Sequence, residues 1–469
     1  MINYNPFEKP LSEIDSDDIY ELDVPEGYYY EYKRSLIGKE DIAKSVSSFA
    51  NTYGGLLFLG VEENDDTNKP EDRFTLSNGD SSKYKETVRN AVKEYVSPPP
   101  RFTTHTFDGF SEDGGEGYVI LVDVPESQIT PHINNNGCVY RRTGEGSDPY
   151  RPLTDPGVLD DLHNRREQWQ ERVEEFCQTE VGLTNAHAGD PENDILGIPM
   201  LEVYGIPTTL DEPVCSDVRL DLDGFRDAVQ SSNMYLLSED RDGVEEDESI
   251  KMGVDADTYR ATSEGVVAQQ WTTYDEDGYK DRAHTPLTIK FFADGSAKFF
   301  MPLPTIPFPE PSDQTVTWEV IDRYLDSSHE NIQFIDGENT LLALYNHLNI
   351  YMNLLSTYGW PEESNNIYVK ARLINGYRTM LFFESDWYQE LVQDYGAPVC
   401  YDDVVEAPRM NPFQYEIELS KEDRFSSVLY SVVSIFQAFG LPLQNSTDLG
   451  ENFTNSIFQN SPGEYDGPF

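Results

Sequence analysis

The chain has 469 residues, with 86 acidic and 34 basic side chains and a formal net charge of −52. That balance excludes a protein that gathers nucleic acid or anionic membrane through its overall field, because like charges repel. The acids are spread along the whole chain and accompany 38% hydrophobic residues, which points to a folded protein with a carboxylate-coated surface. At molar salt the Debye length falls to about 3 Å and screens such repulsion, so the expected setting is the cytoplasm of a salt-accumulating halophile.

Cys138, Cys177, Cys215 and Cys400 show neither metal-motif spacing nor a disulfide framework. No segment approaches the ~18 uninterrupted apolar residues of a membrane span. The opening MINYNPFEKPLSEIDSDD lacks the basic and apolar parts of a signal peptide.

Residues 1–25 are acidic and turn-rich, and a flexible lead-in is expected there. Tyr28 to Lys33 predicts a strand with Glu31 and Lys33 on one face. Lys39 to Ala50 predicts a helix, since Ile42, Val46, Phe49 and Ala50 fall on one stripe. Asn51 and Gly54-Gly55 stop it. Leu56 to Val61 is a continuous apolar run of the length of a fully buried strand. Residues 82–96 predict a second amphipathic helix, ended by Pro98, Pro99 and Pro100. Strands follow at 101–107, 117–124 and 137–142, then a helix from Pro156 to Phe176. The order is β-α-β-α-β-β-β-α, a domain over 26–177.

A polar linker is expected at 178–194, then a strand-rich region at 195–314 with a hairpin around Asp294-Gly295. A helix-rich region follows at 315–445, where Leu341, Leu342, Leu344, Tyr345 and Leu348 cluster, and a flexible tail closes the chain at 446–469. The fold class is therefore mixed α/β, with an N-terminal domain followed by a strand-rich and then a helix-rich part.

Three pieces carry chemistry: EGYYYEYKRS from Glu26, SFANTYGGLLFLGVEEN ending at Asn64, and VYRRTGEGS from Val139. In content, order and spacing they resemble the Schlafen AlbA-2 domain, over residues 26–166. The resemblance implies a mixed α/β domain that binds DNA or RNA, in a regulatory or defensive role. The ribonuclease-active members cleave at three carboxylates. By position these fall on Glu26, Glu31 and Glu63, the last being aspartate in those members. Vertebrate Schlafens carry two such lobes and a zinc-binding cluster. This chain shows one lobe and no such cluster, so a homodimer would build an equivalent groove.

Three convergent carboxylates can hold Mg²⁺ or Mn²⁺ through oxygen ligands, and such an ion activates water and stabilises charge on phosphate. Glu26 and Glu31 have opposite strand parity and converge only if the chain bends at Gly27. Against this, the three are also ordinary members of an acidic surface. Composition favours pairing of the nearby cations with carboxylates, but the resemblance makes Lys33 and Arg142 the first candidates for phosphate contacts, with Arg34, Arg141 and Lys39 assisting. Gly54-Gly55 follows a helix and precedes a strand, the reverse of a phosphate-binding P-loop. The functions left open are a nucleic-acid-binding protein, a metal-dependent endoribonuclease acting on structured RNA such as tRNA, and a protein-interaction scaffold.

Overall fold

A computed structural model describes residues 4–7, 9–64, 66–71, 76–77, 81–110, 117–143, 150–178, 197–210, 213–232, 234–237, 249–252, 256–274, 280–325, 331–360, 367–406, 411–413, 435–439 and 441. The chain divides into two compact units, the first from Met1–Gln178 and the second from Thr179–Trp360 and Ile367–Phe469. Almost all of the expected linker and the whole expected tail lie outside the described residues.

The first unit runs α1 (Ser16–Glu21), β1 (Tyr30–Lys33), α2 (Lys39–Ala50), β2 (Gly55–Leu59), β3 (Leu76–Ser77), α3 (Ser81–Tyr95), β4 (Val96–Ser97), β5 (Thr103–Phe110), β6 (Gly117–Val124), β7 (Ile133–Asn134), β8 (Tyr140–Arg142), β9 (Tyr150–Pro152) and α4 (Pro156–Gln178). Its main sheet places β1 parallel to β2 and β2 antiparallel to β6, with β5 and β3 also paired to β6. Two short ribbons, β4–β7 and β8–β9, stand apart from it.

Alternate residues of β2 and β6 feed two cores. Leu57, Leu59, Ile120 and Val122 pack with Ile42, Val46 and Phe49 of α2 and Val88 and Val92 of α3. Leu56, Phe58, Val119 and Leu121 pack on the other face with Tyr32, Ile14, Ile19 and Leu22. A strand apolar on both faces needs cover on both.

The second cover comes from the segment expected to be a flexible lead-in, so that expectation is corrected over its described part. Asp15 accepts from the N–H groups of Asp17 and Asp18, and the Asp18 carboxylate accepts from Asp15 N–H. That capping box starts α1, and the buried Ile19 docks it on the sheet. The acidic residues that mark the segment as a loop in composition act here as helix caps.

The second unit contains β10 (Met200–Pro207), α5 (Leu222–Ser231), β11 (Met234–Leu237), β12 (Ser249–Met252), β13 (Thr258–Ala261), β14 (Gly265–Tyr274), β15 (Lys280–Phe292), β16 (Ala297–Pro302), β17 (Thr305–Ile306), α6 (Val316–Tyr324), β18 (Gln333–Asp336), α7 (Gly337–Thr357), β19 (Ile367–Ile374), β20 (Thr379–Phe382), α8 (Asp386–Tyr395), β21 (Val399–Cys400), β22 (Val404–Glu406) and β23 (Asn411–Phe413). Its large sheet has the order β13-β14-β15-β16-β10-β19-β22, with β23 also paired to β19.

The hairpin around Asp294-Gly295 is β15–β16, and Gly295 takes the positive φ of 83° that its turn requires. β10 pairs on one side with β16 and on the other with β19. The strand-rich and helix-rich stretches therefore share one sheet, and the buried α7 residues Leu344, Leu348 and Leu354 belong to the same core.

Candidate functional site

β1 places Glu31 and Lys33 on one face and Tyr32 on the other, where Tyr32 stacks on Phe58 with ring centroids 5.2 Å apart. Glu31 points under α2 and is fully buried. Its Oε1 accepts from Ser45 Oγ at 2.9 Å and lies 3.2 Å from Lys33 Nζ. Its Oε2 accepts from Arg142 Nη1 at 2.7 Å.

Glu26 reaches the same place through the turn that Gly27 N–H closes on Tyr30 O. Glu26 Oε1 accepts from Tyr32 N–H at 3.3 Å and lies 3.6 Å from Lys33 Nζ. Glu63, in the loop after β2, is tied by a β-bridge to Pro70 and lies close enough to Glu26 to raise it. Its Oε2 is buried without a hydrogen-bond partner. The chain thus brings all three glutamates together. Gly27 is not forced into a glycine-only conformation, and a Cβ there would meet open space.

Three acids face two cations in this cluster, so one acid is left without a countercharge. Burial first, then the neighbouring carboxylates of Glu63 and Glu31, push Glu26 up to about 8, although Lys33 pulls the other way. Glu26 is therefore the acid of the cluster that most readily stays protonated. Burial pulls Lys33 down, but Glu31 and Glu26 outweigh it and raise the ammonium. For Arg142 burial wins over the same two carboxylates and lowers the guanidinium.

The segment Ser48 to Gly55 builds the socket that holds Arg142. The guanidinium lies 4.3 Å over the Phe49 ring. Thr52 Oγ1 accepts from Arg142 N–H at 2.9 Å. Asn51 bridges the segments on either side: its Nδ2 donates to His132 O and Tyr140 O, each at 3.0 Å, and its Oδ1 accepts from His132 N–H at 2.8 Å. Gly54 has φ of 76°, and a Cβ on Gly55 would lie 2.3 Å from the Phe49 ring. Arg142 itself donates from Nε to Gly27 O at 3.1 Å, and from Nη2 to Gly27 O and to Tyr30 O, the latter at 3.0 Å. It fastens the turn before β1 to the end of α2.

This geometry changes the roles expected from the sequence. Arg142 is a buried clamp, 1% exposed, and its fork is engaged by Glu31 and two carbonyls. Lys33 is three-quarters covered and paired to two glutamates. Of the four candidates Arg34 is the exposed one, 3.4 Å from Glu62 at the surface, and Arg141 is half-buried. A divalent cation needs oxygens about 2.0–2.6 Å away, and the Lys33 ammonium already sits between Glu26 and Glu31. Among the described residues no group of three or more His, Cys, Asp or Glu has the geometry to hold a metal ion. In this arrangement the three glutamates do not fit Mg²⁺ or Mn²⁺, and no metal step is built on them.

Sequence reasoning missed Ser45, Asn51 and Thr52 as parts of the cluster. The Ala-Asn-Thr run beside Gly-Gly was a signal for Asn51 and Thr52. Ser45 lay in a helix stripe read only for its apolar members.

Among the described residues no helix is long and apolar enough to cross a membrane. A comparison with curated proteins finds none that matches the chain. The family model described as Schlafen, AlbA_2 matches residues 26–151. The N-terminal third of the chain therefore carries a Schlafen AlbA_2 domain, which ties it to a nucleic-acid-related function.

Proposed function

We propose that the first unit binds nucleic acid, with the buried glutamates and Arg142 acting as its internal brace and exposed cations acting as its contacts. The observation that carries this reading is α3. On a chain of net charge −52, Lys85, Arg89 and Lys93 follow one another at four-residue steps. That spacing puts them on one helical face about one turn apart, and Arg89 and Lys93 are exposed. Between residues 83 and 101 there are five basic residues and two acidic ones, a local reversal of the chain's charge. Arg34 and Arg141 supply further contacts; phosphate suits arginine's fork geometry.

The test is fluorescence anisotropy of the full chain with labelled DNA and RNA. Charge reversal by Arg89→Glu with Lys93→Glu is expected to weaken binding at least tenfold. Unchanged affinity in that variant overturns the reading. Adding Mn²⁺ to the same samples checks the endoribonuclease alternative, which requires cleavage that Glu31→Gln abolishes.

A further inference from the structure

The best-placed exposed aromatic surface of the first unit lies beside the brace. Tyr28 and Tyr53 are 47% and 42% exposed, and Tyr29 sits between them, half-buried. The ring centroids lie 6.5 Å apart for Tyr28–Tyr29, 6.4 Å for Tyr28–Tyr53 and 6.3 Å for Tyr29–Tyr53. Their neighbours are tied inward: Tyr30 Oη donates to Tyr4 O and Tyr32 Oη to Val24 O, each at 2.9 Å. No hydrogen-bond partner holds the hydroxyls of Tyr28, Tyr29 and Tyr53 among the described residues. These three rings are not needed to fill either core.

Their backbone is nevertheless fixed. Arg142 grips Gly27 O and Tyr30 O, the carbonyls flanking Tyr28 and Tyr29. Its own N–H is held by Thr52, the residue before Tyr53. Gly54 turns the chain sharply after Tyr53, at a φ no tyrosine would favour. A patch of exposed rings on a rigid mount is the arrangement used to stack ligands with flat faces.

We propose that Tyr28, Tyr29 and Tyr53 form a stacking platform for unpaired nucleobases, so that the domain takes single-stranded nucleic acid. The proposal rests on the nucleic-acid-binding reading above and names its substrate class. Paired bases keep their faces stacked on one another, whereas every unpaired base offers one. A chain of net charge −52 repels phosphate. Contacts to an uncharged base face add affinity that needs no ion pair and persist when salt screens both the repulsion and the ionic contacts.

The test measures full-chain affinity for fluorescent oligo(dT) and for a fully paired duplex, in low and molar salt. Tyr28→Ala and Tyr53→Ala are each expected to weaken oligo(dT) binding about tenfold. Tyr28→Phe and Tyr53→Phe, which keep the rings, are expected to bind as the parent does, and duplex affinity is expected to be unchanged by all four. Oligo(dT) binding that survives both alanine substitutions overturns the platform while leaving nucleic-acid binding intact. Displacement of oligo(dT) by oligoproline with loss of proline binding in the alanine variants assigns the patch to a peptide and likewise overturns it. A parent that binds neither probe sinks the broader reading instead.

Discussion

Arg142 Nη1 lies 2.7 Å from Glu31 Oε2, with both side chains fully buried, and this pair joins β8 to β1 across the first unit. Removing one member leaves the other charge buried and unpaired. Arg142→Ala is expected to destabilise the first unit by about 3–5 kcal/mol. Arg142→Ala with Glu31→Gln is expected to cost less than the two single changes added together. Urea unfolding of the four proteins measures the coupling; strict additivity would show that the pair is not a unit.

Glu26 gives the first unit a pH dependence. Its folded value of about 8 lies above the ordinary 4.5, so the folded state holds the proton more tightly. Its stabilising contribution is complete below pH 4.5 and is lost as pH rises through 8, at no more than about 1.4 kcal/mol per pH unit. His132 has the opposite slope: burial lowers it from 6.5 to about 4, so its contribution is complete above 6.5 and falls away as the pH drops to 4. Between pH 6.5 and 8 the Glu26 effect stands apart from that of His132. Hydrogen exchange of β2 amides in the full chain is expected to show protection falling over that window in the parent, relative to Glu26→Gln. Parallel pH profiles would place the proton elsewhere.

The Lys33 ammonium lies 3.6 Å from Glu26 and 3.2 Å from Glu31. Lys33→Met leaves Glu26, Glu31 and Glu63 without that ammonium. Mn²⁺ is expected to raise the unfolding temperature of this variant and to leave that of the parent unchanged. Equal Mn²⁺ stabilisation of both proteins would show that the cation does not compete with Lys33.

Asn51 serves two carbonyls and one N–H from segments more than eighty residues away. Asn51→Ala is expected to cost about 3 kcal/mol through the buried groups it orphans. Asn51→Asp is expected to cost more, because a carboxylate cannot donate to His132 O and Tyr140 O. Denaturant midpoints rank the three proteins, and an Asp variant as stable as the parent would contradict the assignment.

Much of the first unit was legible in the sequence because its signals are local. The α2 stripe, the apolar run of β2 and the prolines after α3 each speak through neighbours in the chain. The parity of Glu31 and Lys33 also held. Glu26 and Glu63 meet the cluster through a turn and a loop, which periodicity does not encode. The role of Arg142 was read from residue type and the family resemblance, with carboxylate pairing as the rival, and a phosphate ligand and a buried clamp look alike in one dimension. What separates them is Phe49 beneath the guanidinium, Gly27 O and Tyr30 O beside it, and Glu31 opposite. The lead-in was misjudged because capping acids and loop acids have the same composition.

The central claim is that this acidic chain holds nucleic acid through a few cations and neutral stacking. The direct measurement is the affinity of the full chain for a single strand across a salt series. Three contacts from Lys85, Arg89 and Lys93, or five with Arg34 and Arg141, predict a slope of log affinity against log salt of about −2 to −3.5, with binding still measurable at molar salt. No binding to any single-stranded or paired nucleic acid at low salt would contradict the account, and so would a slope of about −6 or steeper, which would mean that phosphate contacts alone carry the affinity.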